Sequence, residues 1–183
     1  NMQIAPMEGL PTLPRVDQVP EMKPVQEIDV PVLIIGGGPS GLSAGIELGK
    51  RGVRVLLVDD KHRLGGKLVL QTHRFFGSTN AVYAGTRGID IATRLEEDLR
   101  QYPSVEIWTR STCLAVFSDQ KVGILKENDE YVLVKPQILL VASGAREKFL
   151  AFKGNTLPGV FGAGAFQTLV NRDLVKPAEK LFI

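Results

Sequence analysis

Residues 32–45 read V-L-I-I-G-G-G-P-S-G-L-S-A-G. The apolar run Val30–Ile35 is typical of a parallel strand buried on both faces, and glycines follow it at once. The glycines fit G-x-G-x-x-G over Gly36–Gly41, a pattern that indicates a dinucleotide site only between a strand and a helix. We predict that helix over Ser40–Arg51 and a second strand over Val53–Val58. Strand, helix and strand then form one right-handed crossover unit.

Each glycine of this turn has a physical task in such a site. Gly36 permits the sharp turn, and Gly38 lets a pyrophosphate approach the backbone because it has no Cβ. Gly41 lets the helix pack close to the strand. The free N–H groups and the positive end of the helix then face the phosphates. The candidate cofactor-binding residues of the turn are Gly36, Gly37, Gly38, Pro39, Ser40 and Gly41.

An acidic residue ends the second predicted strand, roughly 20 residues beyond the turn, where a ribose is expected. Asp59 has this position, and its carboxylate can accept hydrogen bonds from both ribose hydroxyls of an adenosine. The same charge would repel a 2′-phosphate, which favours FAD or NAD over NADP. Asp60 stays open as the alternative. The glycine pair Gly65-Gly66 follows, where the chain can pass close to a cofactor, and Lys67 could approach a flavin or a phosphate.

The rest of the chain alternates between helical and strand patterns. We predict a helix over Gly88–Gln101, a third strand over Val105–Trp108 and a buried strand over Gln137–Ala142, which Ser143 and Gly144 close. Three short alternating segments predict an antiparallel meander: Cys113–Phe117, Val122–Leu125 and Tyr131–Val134. The expected fold is therefore α/β and Rossmann-like, with a central parallel sheet and a small antiparallel β-meander.

Composition narrows the class of protein. The 183 residues are 44% hydrophobic and 23% charged, as in globular proteins, and the net charge of +2 suggests neither nucleic acid nor a membrane as partner. The single cysteine, Cys113, excludes an intrachain disulfide framework and a multi-cysteine metal site. His62 and His73 are too far apart for a metal site. No apolar run approaches the roughly 18–20 residues of a membrane helix, and we expect a cytoplasmic protein.

The chain divides into three predicted parts. Residues 1–28 contain five of the eleven prolines and show no periodicity, so we expect an extended arm or linker. Residues 29–150 form the dinucleotide-binding domain. Residues 151–183 are loop-like, with a short helical turn over Gln167–Val170 and the start of an apolar strand over Lys180–Ile183.

Three segments together carry a family resemblance: residues 32–45, L-V-D-D-K-H-R-L-G-G-K over 57–67, and I-L-L-V-A-S-G-A-R over 138–146. They resemble the FAD-binding domain of flavoproteins with two dinucleotide-binding domains, of which the pyridine nucleotide–disulfide oxidoreductases are the best known. Sarcosine oxidase-like and proline dehydrogenase-like α subunits are similar too, but less specifically.

The resemblance implies how a cofactor lies. FAD would bind extended, with its ADP half on Gly36–Gly41 and Asp59 and its flavin toward the later segments. The backbone near Cys113 would touch the adenine, and Ala142, Ser143 and Gly144 would pass near the cofactor. L-P-G-V over 157–160 resembles the hinge to an NAD(P)H domain. We therefore expect the chain to be most of one FAD-binding domain from a longer protein.

The resemblance implies an FAD-dependent oxidoreductase that exchanges electrons with NAD(P)H. Disulfide-reducing members carry two cysteines just beyond the glycine pair, whereas Lys67–His73 contains none, so dithiol catalysis by this segment is excluded. No side chain is a convincing catalytic acid or base. Two alternatives stay open: an NAD-binding domain without flavin, and a non-catalytic electron-relay subunit. The expected partners are a small molecule or a protein redox partner, with a homo-oligomer or a larger complex as the assembly.

Overall fold

A computed structural model describes residues 24–74, 83–127 and 129–183. Most of the proposed N-terminal arm, residues 1–23, lies outside the described residues. The strands are β1 Gln26–Ile35, β2 Val55–Val58, β3 Val105–Trp108, β4 Thr112–Val116, β5 Val122–Lys126 and β6 Glu130–Val141. The helices are α1 Pro39–Gly49, α2 Gly88–Leu99 and α3 Ala163–Asn171, with a 3₁₀ helix over Gly66–Leu70.

The six strands form one sheet in the order β3-β2-β1-β6-β5-β4. The first four in this order pair in parallel, and β6, β5 and β4 pair antiparallel. A parallel sheet with a meander attached confirms the predicted α/β class. Strand β1 begins at Gln26, so the last three residues assigned to the arm join the sheet.

Strand β6 belongs to both parts of the sheet, whereas the sequence pattern predicts two separate strands in this region. It pairs with β5 as far as Val134 and with β1 along its whole later half, including Pro136 opposite Val30. The prediction of two separate strands here is wrong. A proline is tolerated because β5 has ended, so β6 has only one paired edge at that point. The later half is not fully buried either, since Ile138 and Val141 are 61% and 64% exposed.

Two apolar layers cover the two faces of the parallel sheet. Neighbouring residues of a strand point to opposite faces, and Leu57 accordingly packs with helices α1 and α2 while Leu56 packs with the meander. Ile124 and Val132 of the meander share the second layer with Trp108 of β3. The meander therefore folds back across the sheet, and the carboxyl ends of β1, β2 and β6 stay together at one edge.

Helix α1 lies very close to its neighbours. A Cβ on Gly45 would come within 2.8 Å of the Leu99 side chain, and one on Gly49 within 2.7 Å of the Tyr102 ring. This close packing fixes the second half of α1 against α2 and the segment that follows it.

The C-terminal segment attaches to this core through polar contacts. Helix α3 is longer than the predicted helical turn. The Gln71 and Gln167 side chains exchange hydrogen bonds, and Asn171 Nδ2 donates to the Leu70 carbonyl at 2.6 Å. The strand expected at the C-terminus is not observed within the described residues, and Phe182 is fully exposed.

Candidate functional site

The glycine turn sits where three strands end. Gly36 donates its N–H to the Val58 carbonyl at 2.8 Å, and the Ala142 N–H donates to the Ile35 carbonyl at 2.7 Å. Gly36 has a φ of +105°, and a Cβ there would overlap the Ala142 carbonyl oxygen. The fold itself therefore requires glycine at position 36.

Two further glycines are also explained by contacts inside the protein. A Cβ on Gly41 would overlap the carbonyl oxygen of Gly36, so α1 approaches the turn as closely as backbone atoms allow. A Cβ on Gly66, whose φ is +53°, would lie 2.9 Å from the Gly38 Cα. The glycine pair and the glycine turn therefore pack directly against each other.

Gly38 is different, because the protein leaves room beside it. Its φ of −76° and ψ of −175° suit any residue. The nearest atom to a Cβ built on it is the Gly66 Cα, at 3.8 Å, which is ordinary contact. No contact within the described residues explains glycine at position 38. A ligand lying against the backbone would explain it, so the turn fits a bound pyrophosphate.

The first turn of α1 offers hydrogen-bond donors to such a ligand. The helix begins at Pro39, its N-cap Gly38 provides no side-chain cap, and its first turn holds no acidic residue. The first N–H groups of any helix lack intrahelical acceptors, and here Ser40 and Gly41 contribute such groups. The uncompensated positive end of the helix suits an anion such as a phosphate.

Asp59 faces into the protein. It is only 8% exposed. Its Oδ2 accepts the Gly37 N–H at 2.7 Å, and its Oδ1 accepts the Lys61 N–H at 2.8 Å. Asp60 is exposed and pairs with the Lys61 ammonium. The two candidates for the ribose carboxylate therefore differ in what they already bind.

Leu64, which is not among the predicted site residues, lies directly beneath the turn. Leu64 is fully buried, and its side chain occupies the space that a Cβ on Gly37 would need. Gly65 donates its N–H to the Gly37 carbonyl at 2.8 Å, and a Cβ on Gly65 would overlap the Ala92 side chain of α2. The sequence signal for Leu64 is an apolar residue directly before a glycine pair and after a run of polar residues, although its packing against the turn shows only in the structure.

Besides Asp59, Ser111 is a second buried polar residue at the end of β2, and no sequence pattern marks it. It is buried, its N–H donates to the Asp59 carbonyl at 2.9 Å, and its hydroxyl donates to the Thr109 carbonyl at 2.8 Å. The same hydroxyl accepts the Glu127 N–H at 3.2 Å. Ser111 thereby fixes the start of β4 beside the end of β2.

The remaining candidate residues are mostly exposed and lie outside the glycine turn. Lys67 is exposed on the 3₁₀ helix, and Ser143 and Gly144 are exposed just beyond β6. Gly144 has a φ of +80° with open space around it. Cys113 pairs with Ile124 in the meander, and burial raises the pKa of its thiol. No contact between Cys113 and the glycine turn occurs among the hydrogen bonds and strand pairings of the described residues.

Comparison with known proteins gives consistent relatives. Residues 30–179 match the family described as pyridine nucleotide-disulphide oxidoreductase. Sarcosine oxidase subunit alpha of Rhizobium meliloti is 32% identical over 159 residues, which cover 80% of this chain and 15% of that protein. Hydrogen cyanide synthase subunit HcnB of Pseudomonas protegens is 30% identical over 152 residues, which cover 82% of this chain and 32% of that protein.

Solved structures share the fold. L-proline dehydrogenase from P. horikoshii superposes with a TM-score of 0.72 at 24% identity, over 85% of this chain and 31% of that one. The bacillithiol disulfide reductase Bdr of Bacillus cereus gives a TM-score of 0.59 at 23% identity, over 72% of this chain and 45% of that one. The chain thus spans less than half the length of each of these relatives. No helix within the described residues is long and apolar enough to cross a membrane.

Proposed function

The chain belongs to the pyridine nucleotide-disulphide oxidoreductase family, and on that premise we propose that it is the FAD-binding portion of an oxidoreductase that exchanges electrons with a pyridine nucleotide. The pyrophosphate lies against Gly38 and the first turn of α1. The adenosine end lies at the carboxyl ends of β2 and β3, and the flavin extends toward the glycine pair and residues 142–144.

The observation that carries this proposal is the free space beside Gly38. Gly36, Gly41 and Gly66 are each required by a backbone contact or a positive φ inside the protein. Gly38 has neither, and it stands next to a helix end with unpaired donors and no capping acid. A glycine that the fold does not need, beside an anion-binding helix end, favours a pyrophosphate ligand.

The division of chemistry follows from the residues present. A bound flavin supplies the electron and hydride transfer. This chain binds and orients the dinucleotide through backbone N–H groups. Its single cysteine, Cys113, cannot form a dithiol pair within the chain. Partial burial raises the pKa of that thiol, which disfavours the reactive thiolate.

The names of two relatives describe enzyme subunits, which favours a multi-subunit assembly for this protein. Two of the similar proteins are subunits of sarcosine oxidase and of hydrogen cyanide synthase. We therefore place the whole protein as one subunit of a larger oxidoreductase. In that assembly it either accepts electrons from NAD(P)H directly or relays them between other redox centres.

One experiment separates these possibilities. The full-length protein is purified with its cofactor, its visible spectrum is recorded, and it is titrated anaerobically with NADH and with NADPH. Flavin absorption that bleaches on titration supports the proposed oxidoreductase. Flavin that does not bleach favours the electron relay. A colourless protein that binds NAD but not FAD contradicts the proposal and identifies an NAD-binding domain without flavin.

A further inference from the structure

We propose a second ligand site on the face of the sheet that carries the meander, and we assign to it a free α-amino acid with an apolar side chain. The site is a cavity of about 360 Å³ beside the first half of β1 and the start of β2. Small-molecule sites in proteins begin at roughly this volume. None of the lining residues belongs to the glycine turn, so the inference does not depend on the proposed dinucleotide site.

The base of this cavity is apolar. Val30, Leu56 and Trp108 line it, and all three are buried. They belong to the apolar layer between the parallel sheet and the meander. Ile28, which is half-buried, extends the same surface toward the start of β1. The part of a ligand that contacts this base is therefore apolar, because a polar group there would lose its water without gaining a hydrogen bond.

The rim of the cavity is charged, with two side chains of each sign: Asp29, Arg54, Glu106 and Lys126. Within the part of the chain that the structure describes, none of these four side chains forms an ion pair. The Arg54 guanidinium donates instead to the main-chain carbonyl of Asp29. Charges of both signs that share a cavity without pairing with each other are able to pair with a ligand.

Trp108 holds two of these charges in place. Its indole N–H donates to Glu106 Oε1 at 2.7 Å, and the Lys126 ammonium lies 4.5 Å from the centre of its ring. An aromatic face attracts a cation, which keeps the Lys126 ammonium at the cavity without a carboxylate partner. Its ammonium has three N–H donors, and the Glu106 carboxylate has a second oxygen that can accept. The cavity therefore presents an anchored cation and an anchored anion beside one apolar surface.

The charges select the class of ligand. A simple anion would meet two carboxylates, and a simple cation would meet an ammonium and a guanidinium. An uncharged apolar molecule would take the rim charges out of water without pairing them, which is costly. A zwitterion avoids all three costs, because its carboxylate pairs with Lys126 and its ammonium pairs with Glu106. An α-amino acid with an apolar side chain adds the contact with the base of the cavity.

The test compares L-leucine with two analogues that each lack one charge. Equilibrium dialysis measures the binding of L-leucine, N-acetyl-L-leucine and L-leucinamide to the full chain. We expect saturable binding of L-leucine, and binding at least about 10-fold weaker for each analogue, because each loses one charge-assisted interaction. Trp108 is the sole tryptophan of the chain, so its fluorescence should change with the same midpoint as the dialysis.

Two conservative variants locate the binding. Lys126→Met keeps an apolar stem against the Trp108 ring and removes the positive charge, and Glu106→Gln keeps an acceptor for the indole N–H and removes the negative charge. Each should weaken the binding of L-leucine about 10-fold or more. Lys50→Met is the matched control, because Lys50 follows α1, which packs on the other face of the sheet. This control should bind L-leucine as the wild-type chain does.

Three results would overturn the inference. The first is no saturable binding of L-leucine up to about 10 mM, which leaves no affinity of practical size. The second is equal binding of L-leucine and both analogues, which excludes recognition of a zwitterion. The third is unchanged binding in both Lys126→Met and Glu106→Gln, which places the amino acid elsewhere. Because no flavin or nucleotide is measured, each of these results leaves the proposed function untouched.

Discussion

Replacing Gly38 by alanine tests whether this glycine is required for protein stability or for ligand binding. The new methyl group would have its nearest neighbour, the Gly66 Cα, at 3.8 Å, and the backbone angles are allowed for alanine. Alanine lowers the conformational entropy of the unfolded chain, which stabilises the folded protein by about 0.4–1 kcal/mol. Alanine is less favourable than glycine at the N-cap position of a helix, and this destabilises the protein by a similar amount. We expect a stability within about 1 kcal/mol of wild type, or roughly 2–4 °C in Tm.

Ligand binding should respond very differently to the same change. The methyl group projects into the space where a pyrophosphate would approach the backbone. Loss of one charge-assisted hydrogen bond costs about 1.5–3 kcal/mol, which is about 10- to 150-fold in affinity. Thermal denaturation with and without ADP, together with calorimetric titration, measures both quantities on one sample.

Gly41→Ala is the matched control for this prediction. Its methyl group would overlap the Gly36 carbonyl oxygen, so we expect it to destabilise the protein by about 1–3 kcal/mol or more, whatever the ligand. An unfolded Gly38→Ala protein, or one that binds ADP as tightly as wild type, would refute the reasoning that the space beside Gly38 belongs to a ligand.

Three further changes test other parts of the structure. Gly36→Ala should destabilise the protein by about 2–6 kcal/mol, because the residue has a positive φ and its methyl group would overlap Ala142. Gly52→Ala is the control, since Gly52 also has a positive φ but has open space around it. Equal Tm values for the two variants would contradict a contribution from the overlap. Leu64→Ala should cost about 2–5 kcal/mol in chemical denaturation because it empties the floor of the turn; a loss below about 1 kcal/mol would show that this floor can collapse. Cys113 should react with iodoacetamide more slowly than a free thiol, and its rate should still rise above pH 9, because burial raises its pKa and only the thiolate reacts; a rate that levels off by pH 8 would contradict this.

Much of the fold could be predicted because burial leaves a periodic trace in the sequence. The central strands are covered on both faces, so they appear as apolar runs such as Val30–Ile35 and Val55–Val58. The first half of β6 has one face exposed, so buried Val132 and Val134 alternate there with more exposed residues. The union of β6 could not be foreseen, because the strand loses its partner β5 after Val134 while its pairing with β1 continues, and its burial pattern changes after Pro136.

The sequence predicts which residues form the candidate site, but it does not predict where their side chains point. The spacing of the glycines and the acid at the end of β2 locates the turn. The Asp59 side chain points toward Gly37, 22 residues earlier in the chain, and its main chain is held by Trp108 and Ser111; these contacts are visible only in three dimensions. Leu64 acts through its packing against the turn, which shows only in three dimensions.

The pairing of β1 with β6 also determines when the chain can complete its fold during synthesis. Gln26 and Val132 are register partners that lie roughly 100 residues apart, and closing a loop of that length costs about 4 kcal/mol of chain entropy. The crossover unit from β1 to β2 can form from local contacts soon after it leaves the ribosome. Gly36, however, gains its backbone contact with Ala142 only after nearly four-fifths of these residues have been made. The phosphate-binding turn is encoded early in the chain and becomes rigid late, so a ribosome stalled before position 142 would carry the motif without its support.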